Sequence, residues 1–222
     1  MAGESSVSYL YVPGTAERIF EFNPQMKLIV SLRTPIDRAY SSFNSAKSYG
    51  LEPLKTLAEG LEAEARRIQE HRSILLRYRD LGLYSRHLSR YYNVFPPSQI
   101  KVIIYEEFVQ NPALVIRELC EFVGVSTEFE PDPNLHSNAT KRPDDENPLH
   151  NFINGQNLAR SALRKLLPLN ARMQIREFVR EILFKPPPPI GNDERRQLKH
   201  LFDDDIQQLQ EQLGRDLSVW WD

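Results

Sequence analysis

The sequence predicts an α/β domain, a parallel sheet flanked by helices with a helix-rich C-terminal half. Two stretches carry this expectation. KLIVSLRTPIDRAYSSF, Lys27 to Phe43, and the segment from Ile100 to Val123 share one grammar: a short apolar run, a polar turn, then a helix opened by proline. Helical patterns lie between them, and strands alternating with helices favour a doubly wound parallel sheet.

In the first unit Leu28, Ile29 and Val30 form an unbroken apolar run that suits a strand covered on both faces. Thr34 reads as an N-cap, and Pro35 takes the first helical position, where its missing N–H costs nothing. Asp37 sits where a carboxylate favours the helix start and can fold back on the cap. Arg33 therefore stands at the carboxyl end of a strand, the edge where ligands bind in open α/β sheets and where helix N–H groups attract anions. Ser41 follows Thr34 by two helical turns, a rise of roughly 10 Å on one face. A phosphate lying along those turns, rather than capping the end, is within reach of the Arg33 guanidinium and the Ser41 hydroxyl. An ordinary βα unit with a surface arginine fits the same spacing.

The opening residues, as far as Pro24, are too polar and turn-rich for a core strand. Leu54, Leu57, Leu61, Ala65, Ile68 and Leu75 recur at helical steps, with Gly60 as a weak point and the charges on a solvated face. Asp80 to Pro97 reads as a further helix ended by Pro96 and Pro97. IKVIIYEEF is a second buried strand. Asn111 and Pro112 open a helix that stops at Gly124, with Cys120 on its apolar stripe. Ser126 to Pro148 is loop, with Lys141 and Arg142 its only basic pair, beside Asp144 and Asp145. Arg160, Arg164, Lys165, Arg172, Arg176, Arg180 and Lys185 give the next stretch a local positive excess, which can steer an anion or form a solvated surface. Residues 186–191 are a stiff proline-rich linker to a C-terminal helix, 192–214.

Composition narrows the classes. The 222 residues allow one domain, 1–222, and 28 basic against 30 acidic side chains give a net charge of −2, which excludes a general nucleic-acid binder. One cysteine permits no intrachain disulfide. No apolar run approaches a membrane span and the N-terminus lacks a signal-peptide core, so a cytoplasmic protein is expected. No metal-ligand cluster stands out.

LRTPIDRAYSSF resembles the 3′-phosphate-binding motif of sulfotransferases that use 3′-phosphoadenosine 5′-phosphosulfate (PAPS): strand, Arg, Asn/Asp, Pro, two residues, Arg, Ala/Val, any residue, Ser. Arg33, Pro35, Arg38 and Ser41 match, and Thr34 departs. The likeness, to bacterial and heparan sulfate-type members, extends over nearly the whole chain. It takes in Gly3, Glu4, Tyr9 and Leu10, then Glu17, Arg18, Ile19 and Pro24. It continues through Gly82, Tyr84, His87, Leu88 and Tyr91 to Tyr105, Glu106, Glu107, Phe108 and Pro112. The closing GRDLSVW, ending at Trp220, belongs to it as well.

The resemblance implies a P-loop-like sheet, PAPS as donor and its 3′,5′-bisphosphate (PAP) as product, an unspecified acceptor, and no metal. Arg33 and Ser41 would hold the 3′-phosphate. Lys141 and Arg142 would belong to a loop closing over the nucleotide, although the family's intervening glycine is missing. Arg38 would be structural, as would Glu106 and Glu107 at the strand's end, and Trp220 would pack the last helix onto the body. His87 fits a hydrogen-bonded core histidine better than a general base. Ser5 replaces a lysine found near the reaction centre of many members. The family's 5′-phosphosulfate loop and usual catalytic base precede the segment with which this sequence opens, and no Lys-Gly/Ser-Gly-Thr-Thr loop occurs in it. A fragment, a misplaced start codon and a nucleotide-binding remnant all fit, and the well-kept downstream motifs favour a truncated enzyme. No base is assigned. A P-loop kinase would need a GK(S/T) loop that the chain lacks.

Overall fold

The computed structural model describes residues 2–128, 142–143, 184–185 and 187–221. Helix α1 (Thr15–Phe22) leads to strand β1 (Leu28–Leu32) and helix α2 (Pro35–Ser48). Two short helices follow, α3 (Leu57–Glu62) and α4 (Glu64–Gln69), then α5 (Tyr84–Tyr92). The second unit comprises β2 (Ile100–Ile104), α6 (Tyr105–Gln110) and α7 (Pro112–Val123). A two-residue pairing of β3 (Arg142–Pro143) with β4 (Phe184–Lys185) precedes α8 (Asn192–Lys199) and α9 (Asp203–Leu213).

β1 and β2 are parallel neighbours in register, Leu28 beside Ile100 and Leu32 beside Ile104, so the α/β expectation holds. One face of the pair is the core side. Leu32 and Ile104 are buried there with Ile36, Phe43, Leu88, Phe95, Phe202 and Leu209. The other face departs from the expected double cover: Ile29 is 46% exposed and Ser31 is exposed. On that side α7 sits beside β2, with Lys101 bonded to Glu118 at 2.8 Å. A three-residue apolar run marks a strand but does not report how many of its faces are covered.

The region 54–75 is not one helix. A capping box of Thr56 and Glu59 starts α3, the chain passes through Ala63 into α4, and His71 (φ 53°) turns it back. Its buried stripe is Leu57, Gly60, Glu64 and Arg67, whereas Ala65 and Leu75 are exposed. Two of the charges expected on a solvated face are therefore inside, and each is matched. Glu64 accepts the N–H groups of Arg79 and Asp80, both at 2.7 Å. Arg67 forks onto Glu52 at 2.7 and 2.8 Å, and the Tyr78 hydroxyl donates to the same carboxylate at 2.6 Å.

Two further boundaries differ. The strand ends at Ile104, and Tyr105 to Phe108 are helical, with Glu106 and Glu107 in the first turn where carboxylates suit the helix start. The C-terminal helix breaks at His200–Phe202, a 3₁₀ turn that inserts Phe202 into the core. The proline linker is docked where described: the Tyr40 hydroxyl donates to the Pro188 carbonyl at 2.9 Å, and Ile190 is buried. The helix from Pro112 is capped by Asn111, whose side chain accepts from the Leu114 N–H, and stops at Gly124 with φ 82°, as expected. No helix among the described residues is long and apolar enough to cross a membrane.

Gly60 shows how tightly this packing is drawn. A methyl group there would stand 2.8 Å from the Tyr78 ring, which is fully buried and tied to Glu52. Gly60→Ala is expected to destabilise by about 1–3 kcal/mol, despite alanine's better helix propensity. The measurement is a lower denaturation midpoint at unchanged slope; an equal or higher midpoint would show that the ring can yield.

Candidate anion-binding site

The junction of β1 and α2 is built from its backbone outward. The peptide joining Arg33 to Thr34 is held by both of its polar groups. The Tyr84 hydroxyl donates to the Arg33 carbonyl at 2.9 Å, and the Thr34 N–H donates to Glu106 Oε1 at 3.0 Å. Thr34 Oγ1 donates to the same oxygen at 2.8 Å, and the Trp220 indole N–H donates to Glu106 Oε2 at 3.0 Å. Tyr84 is buried, which pushes its phenol up to about 12, so it stays a donor throughout the ordinary pH range.

These bonds revise the expected helix start. Thr34 occupies the N-cap position, but its hydroxyl serves Glu106 and makes no cap bond. Asp37 pairs with Arg195 of α8 instead of folding back on the cap. Pro35 and Ile36 lie against Phe202, Ile206 and Trp220, around a void of about 10 Å³. That space is at the limit for one water and too small for a phosphate. An anion lying along α2 would meet the side of the helix rather than this space.

On that approach Arg33 is half-buried, with its guanidinium 5.1 Å over the Tyr105 ring. No hydrogen bond or ion pair among the described residues engages the guanidinium, so its donors remain available to a ligand. Ser41, two turns along α2, is half-buried and already has an interaction of its own. β3 runs beside α2 and pairs antiparallel with β4, Arg142 opposite Lys185. The backbone thus brings Arg142 to the helix that carries Ser41. Lys141 lies outside the described residues, as do the basic residues from Arg160 to Arg180.

Other candidates resolve into structure. Arg38 is half-buried and bonds the Tyr78 carbonyl and, at 3.2 Å, Ser42; desolvation of its guanidinium lowers its pKa. His87 is 1% exposed. Its Nε2 lies 2.6 Å from the Asp80 carbonyl and its Nδ1 2.7 Å from the Arg90 guanidinium. Burial pushes the ring down, so a neutral imidazole donating from Nε2 and accepting at Nδ1 satisfies both contacts. Glu107 pairs with Arg215. Cys120 is half-buried, more open than its place on the apolar stripe suggests. A cleft of about 650 Å³ between α5 and α9, lined by Arg79, Arg86, Ser85, Asp204 and Gln208 among others, lies away from Arg33 and Ser41. The clamp on the Arg33–Thr34 peptide is what sequence reasoning missed. Its one visible signal was the Tyr-Glu pair closing the second strand.

An α/β domain with an arginine at the strand end and a serine on the following helix defines a candidate anion-binding fold. The sulfotransferase domain model matches residues 16–163. A human bifunctional heparan sulfate N-deacetylase/N-sulfotransferase 3 is 32% identical over 129 residues, 57% of this chain and 15% of that one. Mouse heparan sulfate glucosamine 3-O-sulfotransferase 6 is 30% identical over 142 residues, 62% of this chain and 39% of that one. The crystal structure of a sulfotransferase from Alicyclobacillus acidocaldarius superposes with TM-score 0.71 at 31% identity, covering 99% of this chain and 67% of that one. The chain belongs to the sulfotransferase family and has its P-loop-like fold. It spans well under half the length of these two curated relatives.

Burial pushes the Glu106 carboxyl up, but its bonds from Thr34 and Trp220 outweigh this and hold it below the ordinary glutamate range. A folded value below the unfolded one gives stability that is present above the unfolded pKa and lost as pH falls through the folded value. The stability gap between wild type and Glu106→Gln should therefore be open at neutral pH and narrow below about pH 4.5. Thermal unfolding from pH 7 to 3 measures it; a gap independent of pH would contradict the assignment.

Proposed function

We propose that the chain is a PAPS-dependent sulfotransferase, which moves a sulfuryl group to a hydroxyl or amine acceptor such as a carbohydrate or small molecule. The carrying observation is Arg33: a half-buried guanidinium at the carboxyl end of β1, seated on Tyr105 and without a protein hydrogen bond or ion pair among the described residues. In this reading Arg33 and Ser41 grip the 3′-phosphate, and Lys141 and Arg142 close over the nucleotide. The residues present fit the donor's bisphosphate end, because the closed helix tip and the lateral arginine favour an anion lying along α2.

Transfer makes an acceptor–sulfur bond as the bond from sulfur to the bridging phosphate oxygen breaks, and the acceptor proton passes to a base. The described residues account for binding and orientation, and no base is assigned among them. Cationic groups at the phosphate end would stabilise the charge of the leaving bisphosphate. The alternative reading is a module that binds PAPS or PAP without transferring sulfate. Sulfuryl transfer and nucleotide affinity measured on the same chain separate the two. Turnover supports the enzyme, and tight binding with none supports the module.

The pocket has its own test. Arg33→Ala should weaken adenosine 3′,5′-bisphosphate by about tenfold or more while leaving adenosine 5′-monophosphate within about twofold. Titration calorimetry reads both, and equal losses would remove Arg33 from the 3′-phosphate.

A further inference from the structure

We propose that Glu106, Tyr84 and Trp220 are positioning residues for Arg33, acting by clamping the Arg33–Thr34 peptide through both its carbonyl and its N–H. The inference rests on the reading of Arg33 as the 3′-phosphate ligand.

Orienting one peptide plane fixes the backbone on either side of it, and with it the direction in which the Arg33 side chain leaves β1. Tyr84 holds the carbonyl at 2.9 Å and Glu106 holds the N–H at 3.0 Å. They come from different elements, α5 and α6, so neither follows the other passively. Trp220 joins them. Its indole N–H bonds Glu106, and its ring lies 6.1 Å from the Tyr84 ring at 57°. Tyr105, adjacent to Glu106 in α6, places its ring under the guanidinium. One helical turn thus sets both the backbone and the side chain of Arg33, and the C-terminal segment braces that turn.

The carboxylate is the vulnerable part. It accepts from three donors, two on Oε1 and one on Oε2. Glutamine has one acceptor oxygen, so Glu106→Gln facing Thr34 presents its NH₂ to the indole N–H and strands that donor. An anion site held on such a support loses affinity when its geometry loosens, even though no ligand contact is removed.

The readout is the 3′-phosphate preference, the ratio of affinities for adenosine 3′,5′-bisphosphate and adenosine 5′-monophosphate. Wild type should show the preference and Arg33→Ala should abolish it. Glu106→Gln and Tyr84→Phe should each shrink it by about tenfold. Adding Trp220→Phe to Glu106→Gln removes the stranded donor and should restore part of it. If Glu106→Gln does not fold, Tyr84→Phe, which deletes a single hydroxyl, carries the test. A preference that survives in the folded clamp variants, even with lowered thermal stability, overturns this inference and leaves Arg33 as the ligand. No preference in wild type overturns both.

Discussion

Glu106 gathers three hydrogen-bond donors onto one half-buried carboxylate, and the candidate site is arranged around that fact. Two donors belong to Thr34, at the start of α2, and the third to Trp220, near the end of the chain. Charge-assisted bonds of this kind are about twice as strong as neutral ones. They join three parts of the chain that are far apart in sequence: the β1–α2 junction, the turn after β2 and the C-terminal segment. The parallel pairing of β1 and β2 brings the first two together. The burial of Leu217 and Trp220 holds the third against them.

The C-terminal segment is accordingly part of the site's frame. Arg195 reaches Asp37, Tyr40 reaches the Pro188 carbonyl, and Phe202 fills the space beside Gly82. Each contact involves α2 or its immediate support. Arg38 completes the frame from within by bonding the Tyr78 carbonyl. That carbonyl belongs to the segment whose N–H groups Glu64 accepts. Glu52, Arg67 and Glu64 have their partners in place, whereas the Nε of Arg38 is buried without one among the described residues.

Much of this was legible in the sequence. The two βα units, the Arg33 and Ser41 positions, the Asn111 cap and the Gly124 stop follow from local patterns: apolar runs, prolines and cap residues with short-range causes. The structural roles of Arg38, Glu106 and Trp220 were also foreseen. Failures came where a distant partner decided the outcome. Glu64 and Arg67 read as solvent-facing because their partners, the Arg79 and Asp80 amides and Glu52, stand outside the helical repeat. Thr34 was expected to cap α2, and Glu106, remote in sequence, took its hydroxyl. Tyr84 carried no sign that its phenol would meet the Arg33 carbonyl.

The shut tip of α2 has a bearing on discrimination. A helix end with open amides takes almost any small oxyanion, because a row of N–H groups asks only for charge. Here Pro35 and Ile36 share a narrow void with Phe202 and Trp220, which leaves no room for a phosphate in that space. A phosphate at the proposed Arg33 and Ser41 site would instead be held side-on by individual side chains. A grip of that kind would be weak for a free ion and worthwhile only when the rest of a larger molecule contributes to holding it, so free inorganic phosphate and sulfate would compete poorly.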